Sequence, residues 1–164
     1  MIYRRARHTD IPVMAEIRAA DWGTVEYWRD RFLQYLAHEL RPKESLAARV
    51  SFVCVDRERV VVLIAGHLTR RFSCNGELQW ISVLPQYRGR GVAGELLRRL
   101  AKWFARHDAL RVCVDVDPAN EVARHFYARH GAEDLKPPWM VWKDIRWAAQ
   151  DRPGLRGARA RAKQ

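Results

Sequence analysis

The stretch Val83-Leu84-Pro85-Gln86-Tyr87-Arg88-Gly89-Arg90-Gly91-Val92-Ala93 joins a strand to a helix. Upstream, Gly76 opens the extended run Glu77-Leu78-Gln79-Trp80-Ile81-Ser82-Val83, and Pro85 ends it. Downstream, Ala93, Leu96, Leu97, Leu100, Ala101 and Phe104 recur on one helical face, with Glu95, Arg98, Arg99 and Lys102 on the other. A Gly-rich turn running straight into a helix aims free N–H groups and the positive end of the helix dipole at one point. Gly89 and Gly91 permit positive φ and close approach of a ligand. Arg88 and Arg90 add positive charge, so the chemistry favoured is binding of a phosphate or pyrophosphate. The GxxxxGK pattern of a P-loop NTPase is absent. Gly89-Arg90-Gly91-Val92-Ala93-Gly94 has the spacing of a dinucleotide loop. It follows several strands, however, and neither Asp108 nor Asp115 stands where the ribose-binding acid belongs. A plain turn capping a helix is the bland alternative.

Outward from that stretch, the chain reads β-α-α-β-β-β-α-β-α-β. Ile2 to Arg7 is a short strand before the N-cap pair Thr9-Asp10, and a helix follows over 11–20. Val25, Trp28, Phe32, Tyr35, Leu36 and Leu40 mark a second helix that Pro42 stops. Residues 43–49 are ambiguous. Runs 50–56 and 59–69 form a hairpin around Arg57-Glu58. After the central helix come a strand over 111–116, a helix from Pro118-Ala119-Asn120 to about His130 with Gly131 beyond it, and an extended run over 139–145. Trp139, Trp142 and Trp147 read as core and edge packing. The expected fold class is α/β (mixed α+β). It is a single domain over residues 1–148, with a mixed, mostly antiparallel central sheet and helices on both faces.

The 164 residues suit one core. No apolar run approaches the ~20 residues a membrane helix needs, and the N-terminus lacks an apolar signal core, so a cytoplasmic location and no membrane partner are expected. Cys54, Cys74 and Cys113 form no paired motif and argue against a disulfide framework or a metal site. Cys54 and Cys113 lie in apolar runs, and Cys74 stands in a loop where more exposure is expected. The net charge of +11 and pI of about 10.3 point to a polyanion without saying which. Residues 149–164 read as a basic, disordered tail carrying Arg152, Arg156, Arg159, Arg161 and Lys163. No stacking-aromatic motif accompanies that charge, so no specific nucleic acid is expected. The region 9–40 is acidic instead, with Asp10, Glu16, Asp21, Glu26, Asp30 and Glu39 against Arg18, Arg29 and Arg31.

The opening stretch resembles the acyl-CoA signature of the GNAT superfamily of N-acetyltransferases, Q/R-x-x-G-x-G/A. It fits from Gln86 to Gly91 and again from Arg88 to Ala93. Asn120-Glu121-Val122-Ala123-Arg124-His125-Phe126-Tyr127, followed by Gly131, resembles the family's other CoA-contacting segment, one strand and one helix later. Ala132 departs from the aromatic usual there. The likeness is close over residues 76–132 and extends elsewhere by element order only.

The resemblance implies an enzyme that moves an acetyl group from acetyl-CoA to a primary amine by direct transfer, with no metal. Amides from Arg88 through Gly89, Arg90, Gly91 and Val92 to Ala93 would hold the pyrophosphate, with Gln86 at its edge. Ile81, Ser82 and Val83 would pair with the pantetheine arm, and Asn120 and Phe126 would flank it. Tyr127 matches the tyrosine that protonates the leaving sulfur, and the amide near Val83 would face the carbonyl oxygen. Glu77 matches the base of histone-type members, with His67 or a water chain as alternatives. By simple alternation Glu77 and Gln79 share a face with Ile81 and Val83, while Leu78, Trp80 and Ser82 take the other. Asp21, Trp22, Glu26, Tyr27 and Trp80 suit a small cationic amine through ion pairing and cation–π contact. A protein or peptide acceptor and a non-catalytic CoA-binding module are the alternatives. The chain is expected as a monomer or homodimer.

Overall fold

The computed structural model describes residues 1–151. Four α-helices and seven strands follow in the order β1 (Ile2–Arg5), α1 (Ile11–Ala19), α2 (Val25–Leu36), β2 (Ser45–Asp56), β3 (Arg59–Thr69), β4 (Gly76–Val83), α3 (Val92–Arg106), β5 (Val112–Asp115), α4 (Glu121–Arg129), β6 (Glu133–Lys136) and β7 (Trp139–Trp142). One sheet takes the strands in the order β1-β2-β3-β4-β5-β7-β6. Only β4 and β5 run parallel, α3 being their crossover; the other pairs are antiparallel. The mixed single-domain class expected from the sequence is the one observed. Residues 152–164, where most of the expected basic tail falls, lie outside the described residues.

Two apolar layers sandwich the sheet. On one face α1 and α2 bury Ile11, Met14, Trp28, Phe32 and Tyr35 against Val53, Leu63, Ala65 and Trp80. On the other, α3 sets Leu96, Leu97, Leu100 and Phe104 on Cys54, Ile64, Leu78 and Val112, and Tyr127 of α4 joins them. Gly66 and Gly76 let Phe104 sit directly on the sheet; a Cβ at Gly76 would come within 2.5 Å of its ring. Fully burying each such aliphatic or aromatic side chain contributes about 1.5–3 kcal/mol.

Several expectations change. The second helix ends at Leu36, not near Leu40, because His38 turns at φ 62° and Leu40 is exposed. Of the ambiguous 43–49 segment, residues 45–49 belong to β2 and 43–44 to the turn before it; Arg49 covers the ring of Tyr35 at 4.7 Å. β6 carried no apolar pattern; pairing with β7 alone makes it a strand. Cys74 is buried against Cys113 and Val141.

The consequential correction concerns β4. Leu78 lies opposite Gly66 and Trp80 opposite Ala65, so Gln79 is an extra residue on the strand. That bulge breaks the two-residue alternation. Glu77 therefore shares the α1/α2 face with Trp80 and Ser82, while Leu78, Ile81 and Val83 face α3.

Candidate active site

The parallel pairing of β4 with β5 is short: it joins Gly76, Glu77 and Leu78 to Val112, Cys113 and Val114. Beyond Leu78 the two strands part, and the opening broadens into a cavity of about 2050 Å³. A strand edge without a neighbour presents unpaired backbone groups to whatever enters. Ile81, Ser82 and Val83 line that edge.

At one end of the cavity lies the glycine turn. A single 3₁₀ turn over Pro85–Tyr87 leads through Arg88 to Gly89 at φ 70° and Gly91 at φ 77°, and Val92 begins α3. No side chain caps this helix, so its first N–H groups open onto the cavity walled by Gly91, Val92, Ala93 and Gly94. A Cβ at Gly89 or Gly91 would meet no protein atom within 4 Å. These glycines answer the positive φ of the turn, not packing against the rest of the protein. Tyr87 Oη donates to Asp56 Oδ2 at 2.7 Å and ties the turn to the β2–β3 hairpin, while Arg90 lies 5.3 Å from the Tyr87 ring. Arg88, Gly89 and Arg90 line the cavity; Gln86 does not.

Asn120 and Phe126 also line the cavity. Asn120 Oδ1 accepts from Ala123 N at 3.1 Å, so it caps α4 as well. Tyr127 is buried between Trp142, at 5.6 Å edge-on, and Phe126 at 5.4 Å, and it reaches the cavity. Burial pushes its phenol well above the ordinary tyrosine range, and the positive charge of Arg18 opposes that shift.

On the α1/α2 face Glu77 is 3 % exposed yet reaches the cavity. Its Oε2 accepts from Arg71 Nε at 3.2 Å and stands 3.5 Å from His67 Nε2. His67 Nδ1 in turn meets Tyr35 Oη at 3.0 Å. Burial lowers the His67 pKa against the pull of Glu77, which favours the neutral ring; Tyr35 and His67 are hydrogen-bonded and Glu77 stands beside them. Arg71 also pairs with Glu44 at 3.0 Å and covers Trp139 at 4.7 Å. His67 does not line the cavity; Glu77 does.

Of the residues expected to meet an acceptor, Asp21, Trp22 and Trp80 line the cavity; Glu26 and Tyr27 do not. Tyr27 instead packs edge-on to Trp28 at 5.1 Å and tilted against Trp22 at 5.6 Å. Sequence reasoning missed four residues that join this wall: Arg18, Arg71, Asp115 and Trp139. Partial burial and the neighbouring Glu77 carboxylate push the Asp115 carboxyl above its usual range, with Arg71 opposing. A carboxylate ending an apolar strand was a visible signal for Asp115. Arg18 carried none, because its hydrogen-bond partner Ser82 lies 64 residues away in the chain. Among the described residues, no group of three or more His, Cys, Asp or Glu could hold a metal ion, and no helix is long and apolar enough to cross a membrane.

Comparison with known proteins adds three findings. The model of the acetyltransferase (GNAT) family matches residues 12–132. N-alpha-acetyltransferase 30 of Schizosaccharomyces pombe is 26 % identical over 83 residues, 49 % of this chain and 55 % of that relative; the chain thus spans about half the length of this curated relative. Among solved structures, the PaiA N-acetyltransferase of Thermoplasma acidophilum in complex with coenzyme A superposes with a TM-score of 0.66 at 15 % identity, covering 85 % of this chain and 95 % of that one. An aminoglycoside antibiotic 6'-N-acetyltransferase of Acinetobacter haemolyticus gives 0.66 at 18 % identity, covering 83 % and 93 %. At these identities the structural likeness speaks for the fold alone.

Proposed function

We propose that this chain, which belongs to the GNAT family of acetyltransferases, moves an acetyl group from acetyl-CoA to a primary amine. The observation that carries the reading is the splitting of β4 from β5 beside the uncapped, glycine-lined start of α3, with Tyr127 in the same cavity. The residues present fit the cofactor. The amides from Arg88 to Ala93 would hold the pyrophosphate, with Arg88 and Arg90 adding charge. The free edge at Ile81–Val83 would receive the amide-bearing arm as a strand does, with Asn120 and Phe126 lining the same cavity. Acetyl-CoA supplies a thioester, whose carbonyl carbon accepts an amine lone pair.

The chain's own groups do the rest. An alkyl amine with a pKa of about 10 is mostly protonated at neutral pH and must lose a proton to react. Glu77 stands ready to take it, directly or through water, and Arg71 fixes its orientation. Tyr127 holds a proton at Oη and delivers it to the departing sulfur. The acceptor side sets the carboxylates of Asp21, Glu77 and Asp115 against Arg18 and Arg71 and beside Trp22, Trp80 and Trp139; the carboxylates outnumber the guanidiniums and the rings stand with them, which favours a small cationic amine. A peptide N-terminus is the second reading, favoured by the likeness to N-alpha-acetyltransferase 30 and by the breadth of the cavity.

Thiol release from acetyl-CoA, measured against polyamines, aminoglycosides, amino acids and peptides, tests the proposal. Turnover with cationic small amines is the expected result. Tight CoA binding with no thiol released from any acceptor would leave a CoA-binding module.

A further inference from the structure

Arg18 belongs to the last turn of α1, and its side chain is only 14 % exposed. Its Nη1 donates to Ser82 Oγ at 3.0 Å, and its guanidinium lies 4.5 Å over the Trp28 ring. Its Nε is buried with no hydrogen-bond partner. The nearest carboxylate, Asp21, is 3.8 Å away and 46 % exposed. A guanidinium taken this far out of water costs several kcal/mol unless an anion compensates it, and Asp21 compensates it poorly.

The split in the sheet places that uncompensated charge. Arg18 and Ser82 belong to the α1/α2 face, Tyr127 to the α3/α4 face. An intact sheet would screen one from the other. Beyond Leu78 and Val114 β4 and β5 are no longer paired, and Arg18, Ser82 and Tyr127 all line the cavity that opens between them; the positive charge of Arg18 acts against the rise that burial imposes on the Tyr127 phenol. A phenol buried among Phe126, Trp142 and aliphatic side chains is a poor acid, because the phenolate it would leave has no water to solvate it. Ser82, once it accepts from Arg18, has its own O–H left to give, which extends the positive field along β4.

We infer that Arg18, held by Ser82, is the electrostatic partner of Tyr127, keeping positive charge opposite the phenolate left when the phenol gives its proton to the departing sulfur. The inference rests on the acetyl transfer proposed above. In that step the nitrogen–carbon bond forms as the carbon–sulfur bond breaks. The bonding pair goes to sulfur, the Tyr127 proton follows it, and the proton lost by the amine passes through Glu77 and water to restore the phenol. Arg18 touches neither reactant; it is a positioning residue acting through Tyr127.

Single-turnover rates with acetyl-CoA and the best amine from the panel provide the test, in Arg18→Gln, Arg18→Lys, Ser82→Ala, Tyr127→Phe and the double variant Arg18→Gln/Tyr127→Phe. Arg18→Gln should slow transfer by roughly 10- to 100-fold, with KM for both reactants within about threefold of the parent. Arg18→Lys should recover much of the rate, and Ser82→Ala should lose less than Arg18→Gln. In the Tyr127→Phe background Arg18→Gln should add less than about threefold, since no phenolate forms there. Equal losses in both backgrounds would overturn the inference. So would a loss confined to KM for acceptors that carry a carboxylate, which would make Arg18 a substrate clamp. Should Arg18→Gln prove unfolded by circular dichroism, Ser82→Ala, alone and combined with Tyr127→Phe, carries the same comparison, its loss expected in the parent and absent in the Tyr127→Phe background. A parent protein that binds CoA but releases no thiol would overturn the acetyl-transfer reading itself. A parent that turns over while every Arg18 and Ser82 variant matches it would overturn only the inference.

Discussion

Replacing Gly91 and Gly76 separately by alanine distinguishes a glycine that serves a ligand from one that serves the core. At Gly91 the backbone has φ 77°, and a Cβ meets no protein atom within 4 Å. The cost to the free protein is therefore conformational, about 1–2 kcal/mol for an L-residue held in the left-handed region. For a chain of this size that lowers Tm by about 2–8 °C. The new methyl enters the wall of the cradle, where a pyrophosphate would need its oxygens about 2.9 Å from backbone N–H groups. Displacing one such charge-assisted hydrogen bond loses about 1.5–3 kcal/mol, so CoA should bind roughly 10- to 100-fold more weakly. Gly76→Ala has the opposite profile. Its Cβ would lie 2.5 and 2.6 Å from two ring carbons of Phe104 and 3.2 Å from Val112 Cγ2. Overpacking of this kind costs about 1–3 kcal/mol, with no reason for CoA affinity to change in the folded molecules. Urea unfolding measures the first quantity and titration calorimetry with CoA the second. If Gly91→Ala binds CoA within about twofold of the parent, the turn is only a helix start and the cradle reasoning fails.

The chemistry and the electrostatics yield further expectations. Tyr127→Phe should lower kcat by roughly 100-fold while CoA affinity holds; an unchanged kcat would remove Tyr127 from proton transfer. Because burial depresses the His67 pKa, the unfolded chain binds a proton below its ordinary value of about 6.5 that the folded chain refuses. Stability conferred by neutral His67 is therefore complete above about pH 6.5 and is lost as pH falls through and below it. His67→Gln should flatten the dependence of the urea midpoint between about pH 5 and 7, and an identical slope in both proteins would contradict the burial argument. Asp21→Asn should raise KM for a cationic amine by up to about fivefold, as befits a half-exposed charge. Glu26→Gln, outside the cavity, should not, and equal effects from both would mean that general surface charge sets amine preference.

Local patterns in the chain carried much of this. Gly89 and Gly91, between an extended run and an amphipathic helix, announce a strand–turn–helix junction with free N–H groups at the helix start, because that geometry follows from local conformation. The α3 face, the β2–β3 hairpin and Asn120 as a cap were readable for the same reason: each is a relation between residues within a turn or two of one another. β6 was not, since Glu133–Lys136 has no apolar pattern and pairs only because β7 lies beside it.

What the sequence determined by itself, then, was the order of every strand and α-helix but β6, the glycine turn between β4 and α3, and the identity of the residues at the start of α3 and α4. What the tertiary structure alone decided was how the faces meet. The bulge at Gln79 appears only against the register of β3, and it turns Glu77 towards Ser82 and Trp80 and away from Ile81 and Val83. The parting of β4 from β5 depends on a strand, β5, separated from β4 by the whole of α3. Through that gap Arg18 and Tyr127, more than a hundred residues apart in the chain, share one cavity. A periodicity records which side of its own element a residue occupies; a gap between two elements exists only once both have packed.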